Sequence, residues 1–421
     1  MNVTNVMKIS TILMFFLLFL HPSVAKTITV CDTCESPSIQ KAVDSANNGD
    51  LIEIMGGGYR ESVTVNKSLK IVGKGVVNLY PRGPKPGFEL KASDASIENI
   101  NIIGGYAGVG IEDGNNISIR NCNITHNYYG VFSENSSDLE IAKNKISDNN
   151  YSIYLQLTRE SIIEGNKISN STIGLKLMES GKILVKENLI NSRDAGIILF
   201  SSSKNTIEKN EVDQGIVILR SSENQLVNNN ANLISLFSSD GNFISENSIG
   251  EYTNMQSNLN RFQFGTLNFT GYNFKFSTSE AEFAEYRLLS NEVNITIIPD
   301  IYTEEGFVTF ETELPVQKLK DLDLQTIGIY KVKKDELEMV SHPSLDEPTA
   351  SRVKINYTTE KSGIYLLAGK PEHPAPSPAS PTPFRTTTSI STPEKRWVPG
   401  FELLPLAVGL LIVAILRRRR I

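Results

Sequence analysis

A repeat of 22 residues runs through the middle of this chain and limits what it can fold into. Residues 139–204 divide without a gap into three segments, LEIAKNKISDNNYSIYLQLTRE, SIIEGNKISNSTIGLKLMESGK and ILVKENLINSRDAGIILFSSSK. Apolar and polar residues alternate within each segment, and this period of two is typical of strands rather than helices. A fixed repeat of this length indicates stacked units. The sequence therefore predicts a parallel β-solenoid with one coil per repeat.

Asparagine recurs at one place in the repeat and indicates how the coils are held together. Stacked coils lie about 4.8 Å apart, so an Asn at a bend can bond to the Asn and the backbone of the next coil. Stepping backward by one repeat from Asn144 reaches Cys122 and then Ile100. The predicted ladder consists of Asn144, Asn166, Asn188, Asn210, Asn229 and Asn247. A second bend carries Gly or Ser, which suits a tight turn, at Gly108, Gly130, Ser152, Gly174 and Gly196.

The N-terminal region has the features of an export signal. Residues 1–25 contain a positive residue, Lys8, an apolar core at 12–20 and the small-x-small site Ser23-Val24-Ala25. The alternative is an uncleaved anchor, and both interpretations predict an exported chain. A short amphipathic helix is then expected from Ile39 to Ala46, where it would cover the open end of the solenoid.

Residues 42–73 resemble the start of a known group of proteins. They read A-V-x-x-A-x-x-G-D-x-I-x-I-x-x-G-x-Y-x-E over 42–61 and V-x-V-x-K-S-L-x-I-x-G over 63–73. This run is similar to right-handed parallel β-helix proteins of the NosD-like and carbohydrate-binding/sugar-hydrolase type, which are common among archaeal surface proteins. The resemblance extends over residues 26–251 and implies an all-β fold, a right-handed parallel β-helix. It implies little about activity, because such solenoids carry lyases, hydrolases, epimerases and adhesins.

The pattern changes after residue 251. Short alternating runs over 252–370 predict a small antiparallel β-sandwich-like domain. Residues 371–398 are rich in Pro, Ser and Thr without apolar periodicity, which indicates an extended linker.

The C-terminus, residues 399–421, resembles the PGF-type sorting signal that an archaeosortase cleaves while it attaches a lipid. Pro399, Gly400 and Phe401 precede an apolar transmembrane segment and the basic residues Arg417–Arg420. The alternative is an ordinary tail anchor. The resemblance implies an anchored cell-surface location, with an archaeosortase as a partner during maturation and a membrane lipid as the anchor.

The net charge limits the classes of binding partner, and the cysteine and histidine residues limit the possible redox and metal sites. The net charge is −6, and processing at both ends would leave −10, which argues against nucleic acid or an anionic membrane surface as a partner. Cys31 and Cys34 form a C-x-x-C that is expected to be a structural disulfide in an exported chain, although redox chemistry is an alternative. Cys122 occupies an inward ladder position and supplies no zinc site by itself. The four His are scattered and predict no metal site or other cofactor, apart from the calcium that some enzymes on this fold use.

Candidates for acid–base chemistry are few. Enzymes on this fold use carboxylates with basic residues on one sheet face, and the best such group here is Glu112, Asp113, Arg120 and His126. Arg193 and Asp194 are the next. The simpler interpretation is that these charged residues are solvated outward positions.

Nine sequons of the form N-x-[ST] lie after the predicted signal and predict surface N-glycosylation. They begin at Asn66, Asn116, Asn123, Asn135, Asn150, Asn170, Asn268, Asn294 and Asn356.

Three functions remain in order of preference. The first is a non-catalytic cell-surface protein whose β-helix binds a polysaccharide or a neighbouring surface-layer protein. The second is a polysaccharide-modifying enzyme, and the third is a NosD-like metal-delivery factor.

Overall fold

A computed structural model describes residues 25–372, apart from 265, 280–281, 284, 291, 299–305, 335 and 342–351. The predicted sorting segment lies outside the described residues, as do the predicted signal up to residue 24 and the predicted linker from residue 373. Within the described part of the chain, no helix has the length and apolar character needed to cross a membrane.

The first part of the described chain is a right-handed parallel β-helix, as predicted. Its elements are the helix α1 (Ile39–Ser45) and the strands β1 (Thr27–Val30), β2 (Leu51–Tyr59), β3 (Val63–Val65), β4 (Lys70–Leu79), β5 (Phe88–Leu90), β6 (Ala95–Glu98), β7 (Asn101–Glu112), β8 (Asn115–Arg120), β9 (Asn123–Glu134), β10 (Ser137–Ala142), β11 (Lys145–Ser147), β12 (Tyr151–Gln156), β13 (Ile162–Glu164), β14 (Lys167–Met178), β15 (Leu184–Lys186), β16 (Leu189–Phe200), β17 (Thr206–Glu208), β18 (Glu211–Leu219), β19 (Gln225–Val227), β20 (Asn230–Phe237), β21 (Phe243–Ser245), β22 (Ser248–Met255) and β23 (Arg261–Phe264).

Each coil contributes to three parallel sheets. The first sheet contains β8, β10, β13, β15 and their equivalents, with Ile119, Ile141 and Ile163 in register on its inner side. The second sheet contains the first halves of the long strands and β11. The third contains β12 and the second halves of the long strands, so that β9, β14 and β16 each pass from the second sheet to the third.

The solenoid has about 11 turns, more than the eight coils that the repeat marks clearly in the sequence. Central coils advance the register by 22 residues, as from Ile141 to Ile163, but later ones advance by 19 and 18 residues. Parallel pairing continues to β23, beyond the Glu251 boundary expected from the repeat, because Phe262 still occupies an inward position opposite Ile244.

The asparagine ladder lies at the bend between the first and second sheets. Asn166 Nδ2 donates to Asn188 Oδ1 (3.0 Å) and to the carbonyl of Ile141 (2.7 Å), while Asn166 N donates to the same Asn188 oxygen (2.9 Å). The same pattern repeats from Asn144 to Asn247, and every Asn of the ladder is buried. Cys122 takes the position before Asn144 and donates its N–H to Asn144 Oδ1.

Two further ladders line the bend between the third and first sheets. Asn205 donates its N–H and Nδ2 to Asn224 Oδ1, and Asn224 repeats this bond to Asn242. Six hydroxyls form a neighbouring column, in which each backbone N–H bonds to the hydroxyl one coil further on, from Thr158 through Ser180, Ser202, Ser221 and Ser239 to Ser257. Buried polar groups at all of these corners therefore find partners in the adjacent coil.

Gly174 lies at the bend between the second and third sheets, where successive coils approach closely. A Cβ atom on Gly174 would lie 2.4 Å from Ile190 Cγ2 and 2.6 Å from the carbonyl oxygen of Gly196.

The N-terminal end of the solenoid is covered by α1, which buries Ile39, Ala42 and Val43. Glu61 accepts hydrogen bonds from the N–H groups of Ile39 and Gln40 and so satisfies donors that the first helical turn leaves unpaired. A disulfide joins Cys31 and Cys34 in the turn after β1.

Antiparallel strands follow directly from two sheets of the solenoid. Strand β22 pairs with β25 on one side, and β23 pairs with β24 on the other. The remaining elements are β24 (Leu267–Tyr272), β25 (Phe274–Ser279), β26 (Arg287–Leu288), β27 (Glu292–Ile297), β28 (Phe307–Pro315), β29 (Gly328–Lys333), β30 (Glu336–Ser341), β31 (Arg352–Thr359), β32 (Gly363–Gly369) and the 3-10 helices Val316–Leu319 and Leu324–Thr326. Aromatic rings pack together where the solenoid meets these antiparallel strands. Tyr252 of β22 stacks on Phe276 of β25, with ring centroids 4.3 Å apart.

Replacement of a ladder residue tests what holds the coils together. We expect Asn188→Ala to lower the free energy of unfolding by roughly 3 kcal/mol, because it leaves Asn166 N and the Ile163 carbonyl without a partner inside the solenoid. The measurement is chemical denaturation followed by circular dichroism, with midpoints and slopes compared between variants.

The matched control is Asn191→Ala, since Asn191 is exposed and should change stability by less than about 0.5 kcal/mol. Equal losses in the two variants would contradict the stabilising role of the ladder.

Candidate binding surface

The outer sides of the first two sheets are mostly polar, with Ile162 and Leu189 as exposed apolar exceptions. On the first sheet, ion pairs join neighbouring coils, as between Lys186 and Glu164 (3.2 Å) and between Arg120 and Glu140. On the second sheet, the outward positions carry Asn and Lys, including the bonded pair Asn101 and Asn78 (2.9 Å). Outward polar side chains of this kind are the normal solvated surface of a sheet.

The outer side of the third sheet is apolar over most of its length. Two outward columns run along it, one for each outward position of the strand, and the strand registers define their members. From the N-terminal end, the first column reads Phe132, Tyr154, Lys176, Ile198, Val217, Ser235 and Thr253, and the second reads Glu134, Gln156, Met178, Phe200, Leu219, Phe237 and Met255. The third sheet is thus the most apolar of the three outer faces.

Five tyrosines gather where the second sheet turns into the third. We call this group the tyrosine cluster; it consists of Tyr106, Tyr128, Tyr129, Tyr151 and Tyr154. The rings of Tyr106 and Tyr128 are parallel, with an angle of 4° between their planes and centroids 6.1 Å apart. Each of these two side chains is 47% exposed, whereas Tyr154 is 4% exposed. The cluster thus presents two accessible rings on a base of packed ones.

The packed base of the cluster is rigid and poorly solvated. Tyr129 stacks on Tyr151 and Tyr154 with centroids 5.4 and 5.5 Å apart. Burial, followed by the neighbouring Tyr106 hydroxyl, raises the pKa of Tyr129 above its ordinary range, so its hydroxyl stays protonated at neutral pH. The Lys176 ammonium lies 5.0 Å from the centroid of the Tyr154 ring, a cation–π distance.

A cationic cleft lies at the N-terminal end of the solenoid. Arg60, Arg82 and Lys85 line it together with Asp32, and Arg60 lies over the Tyr80 ring at 5.2 Å. Its other carboxylate, Glu61, is held by α1. The loop that carries Arg82 and Lys85 packs closely on the coil of Tyr106. A Cβ atom on Gly105 would lie only 3.0 Å from the Pro81 side chain.

The four predicted acid–base candidates occupy different sides of the coil. Glu112 ends β7 on the third sheet, while Arg120 lies on the first sheet, bonded to Glu140. Asp113 sits in the bend between those sheets and accepts from Asn135, and His126 sits in the opposite bend beside Thr125. These side chains are not brought together.

The remaining predicted groups are also separate. Arg193 donates to the Asn170 carbonyl (2.7 Å), and its neighbour Asp194 is exposed. No three His, Cys, Asp or Glu side chains among the described residues gather in a way that could hold a metal ion. Cys122 is a buried free thiol, and burial raises its pKa to about 12.

The tyrosine cluster and the two extra ladders were missed at the level of sequence, although the repeat carries their signal. Tyr106 and Tyr128 are 22 residues apart, and so are Tyr129 and Tyr151. The same 22-residue period that marks the asparagine ladder therefore also marks the tyrosines that lie on adjacent coils.

The nine sequons differ in accessibility. Asn66, Asn116, Asn135, Asn170, Asn294 and Asn356 are exposed, whereas Asn123, Asn150 and Asn268 are half-buried. The Oδ1 atom of Asn268 is fully buried. None of the nine lies on the two outward columns of the third sheet.

We expect a glycan at Asn66 and none at Asn268 in protein purified from its own cells. A glycan on Asn268 would have to leave the packed surface of β24, whereas Asn66 points into solvent after β3. Glycopeptide mass spectrometry gives the occupancy of each site, with Asn356 as a second exposed position. An intact mass equal to that of the unmodified chain would remove this prediction altogether.

Comparison with known proteins agrees with the fold. Residues 86–249 match the family model of the right handed beta helix region. No curated protein sequence matches the chain. The matched residues lie within the solenoid, in agreement with its right-handed parallel β-helix fold.

Several solved structures are similar to this chain at low sequence identity. An alginate lyase from Paenibacillus sp. str. FPU-7 is 14% identical with a TM-score of 0.44, and the match covers 53% of this chain and 95% of that one. The A-module of the Azotobacter vinelandii mannuronan C-5 epimerase AlgE4 is 13% identical with a TM-score of 0.43, over 53% and 76% of the two chains. A polygalacturonase from Erwinia carotovora ssp. carotovora is 10% identical with a TM-score of 0.42, over 54% and 94%.

Proposed function

We propose that this chain is an exported, membrane-anchored cell-surface protein whose β-helix is a non-catalytic module that binds a glycan. The observation that carries the proposal is the tyrosine cluster, with Tyr106 and Tyr128 parallel to each other and each about half exposed. The dispersal of the acid–base candidates over different sides of the coil supports binding without cleavage.

Sugars suit such a surface for a physical reason. One face of a pyranose ring presents C–H groups, which pack against the negative face of an aromatic ring, and its rim presents hydroxyls. Tyrosine offers both an apolar ring and a hydroxyl that donates and accepts hydrogen bonds. Rings fixed by the packed base lose little conformational entropy on binding.

Export and anchoring are separate parts of the proposal and rest on the sequence of both ends. Replacement of Pro399, Gly400 and Phe401 by alanine should leave an uncleaved C-terminus, which mass spectrometry of the membrane fraction would show. Unchanged maturation would argue for an ordinary tail anchor.

The glycan-binding proposal is tested with a panel of neutral and uronate polysaccharides, with and without calcium. We expect binding without bond cleavage, weakened about tenfold by Tyr106→Ala or Tyr128→Ala because a stacking ring is lost. Tyr128→Phe keeps the ring and should retain most of the affinity. Leu189→Ala, at a 39% exposed position on the second sheet, is the matched control.

Two outcomes would overturn the proposal. Cleavage that is lost in Asp113→Ala or Arg120→Ala would support the polysaccharide-modifying enzyme. Affinity unchanged in both tyrosine variants would exclude the tyrosine cluster as the glycan site.

A further inference from the structure

A second surface lies further along the third sheet, beyond the tyrosine cluster. We call it the apolar strip; it consists of Met178, Ile198, Phe200, Val217, Leu219 and Phe237. Phe237 is 42% exposed, and Phe200 is partly exposed at the middle of the strip. Met178, Ile198 and Leu219 are also partly exposed, and Val217, at 8% exposure, is buried between them. The strip is therefore a contiguous apolar patch of mostly half-buried side chains, of the kind that marks an interaction surface.

The same coils are mostly polar on their other two sides. Lys186 and Glu208 point outward from the first sheet, and Lys167 and Glu211 point outward from the second, with Ile162 and Leu189 as exposed apolar exceptions. Apolar side chains are therefore concentrated on one face of these coils. No sequon lies on the two outward columns of this face, and Asn135, at its edge, lies two coils before Glu179.

The charges beside the strip point to a second copy of this chain as its occupant. Leu157, Glu179, Ser201, Arg220 and Ser238 form one column at the edge of the third sheet, with φ near +50° at each. Glu179 lies one coil before Ser201, and Arg220 lies one coil after it. The two charges are about 10 Å apart on one chain, too far for a direct ion pair.

A two-fold axis between two copies would bring Glu179 of one copy close to Arg220 of the other. If the axis runs along the strand of Phe200, between two copies packed face to face, it reverses the order of the coils while keeping the columns opposed. Glu179 of each copy then faces Arg220 of the other, Met178 faces Leu219, and Phe200 meets its own equivalent on the axis. Neither Glu179 nor Arg220 forms an ion pair with another described residue.

We propose that the apolar strip is the interface of a two-fold homodimer, with Phe200 on the axis and Glu179–Arg220 ion pairs on both sides. Two β faces pack about 10 Å apart, as in a sandwich. The six residues of the strip lie on four coils, so its face measures about 19 Å by about 14 Å, and two copies bury on the order of 500 Å² in total, which places the complex at the weak and reversible end of the range.

Sedimentation velocity of the full-length protein in detergent, measured from about 1 to about 100 μM, tests the dimer. We expect a concentration-dependent dimer in the parent protein. Phe200→Lys should abolish it, because two ammonium groups would meet on the axis without a counter-charge. Ile162→Lys, at a 39% exposed position on the first sheet, is the matched control and should dimerise like the parent.

Charge reversal distinguishes self-association from binding of a different protein. Glu179→Arg and Arg220→Glu should each weaken dimerisation about tenfold, because each places like charges opposite each other. The double variant E179R/R220E should recover the affinity, since the pairs re-form with opposite sign. A parent protein that stays monomeric up to about 100 μM, or a double variant no better than the single ones, would overturn the proposal.

These outcomes are independent of the glycan-binding proposal. The strip variants should leave polysaccharide binding unchanged, and Tyr106→Ala should leave dimerisation unchanged. Failure of one set of variants therefore does not decide the other.

Discussion

The hydrogen bonds between successive coils at the corners are the constraint on which the rest of the structure depends. A corner turns the backbone away from its ladder partners, which would leave buried N–H and C=O groups unpaired. The Asn144-to-Asn247 ladder satisfies these groups at one corner, and the Asn205 and Ser180 columns do so at another. An Asn is suited to this role because it donates to a carbonyl of the coil before it and accepts from its ladder neighbour at the same time.

Once the corners are fixed, the inner and outer positions of the strands tolerate different ranges of residue types. Inner positions must stack on equivalent residues, so they stay apolar and of similar size, as at Ile119, Ile141 and Ile163. Outer positions contact only their neighbours on the same face, and the three faces have taken different compositions. The first two faces are mostly polar, whereas the third carries the tyrosine cluster and then the apolar strip. Function in such a solenoid is therefore expected on outer columns, where substitution does not disturb the stack.

Much of the fold could be predicted from the sequence because the repeat reports the corners directly. The period of 22, the Asn144 position and the Gly174 position each reflect one contact between adjacent coils, and together they define a parallel β-helix. The extra coils were harder to recognise, because the spacing shortens after Asn205 and because the last inward residue is Phe262 rather than Ile or Val. Irregular coils at the N-terminal end escape the same pattern, since their loops differ in length.

The candidate site was less predictable because sequence reasoning searched for charged groups. Glu112 and His126 are close in sequence but point to different sides of the coil, since a stretch of 14 residues passes more than one corner. Tyr106, Tyr128 and Tyr151, in contrast, lie far apart in sequence and yet on adjacent coils. In a solenoid, separation along the chain is a poor guide to proximity. Residues that hold the same place in successive repeats lie close together, however many residues separate them. A register-based search of outer columns is therefore the sequence analysis that this fold requires, and it directs attention to the third sheet before any chemistry is assumed.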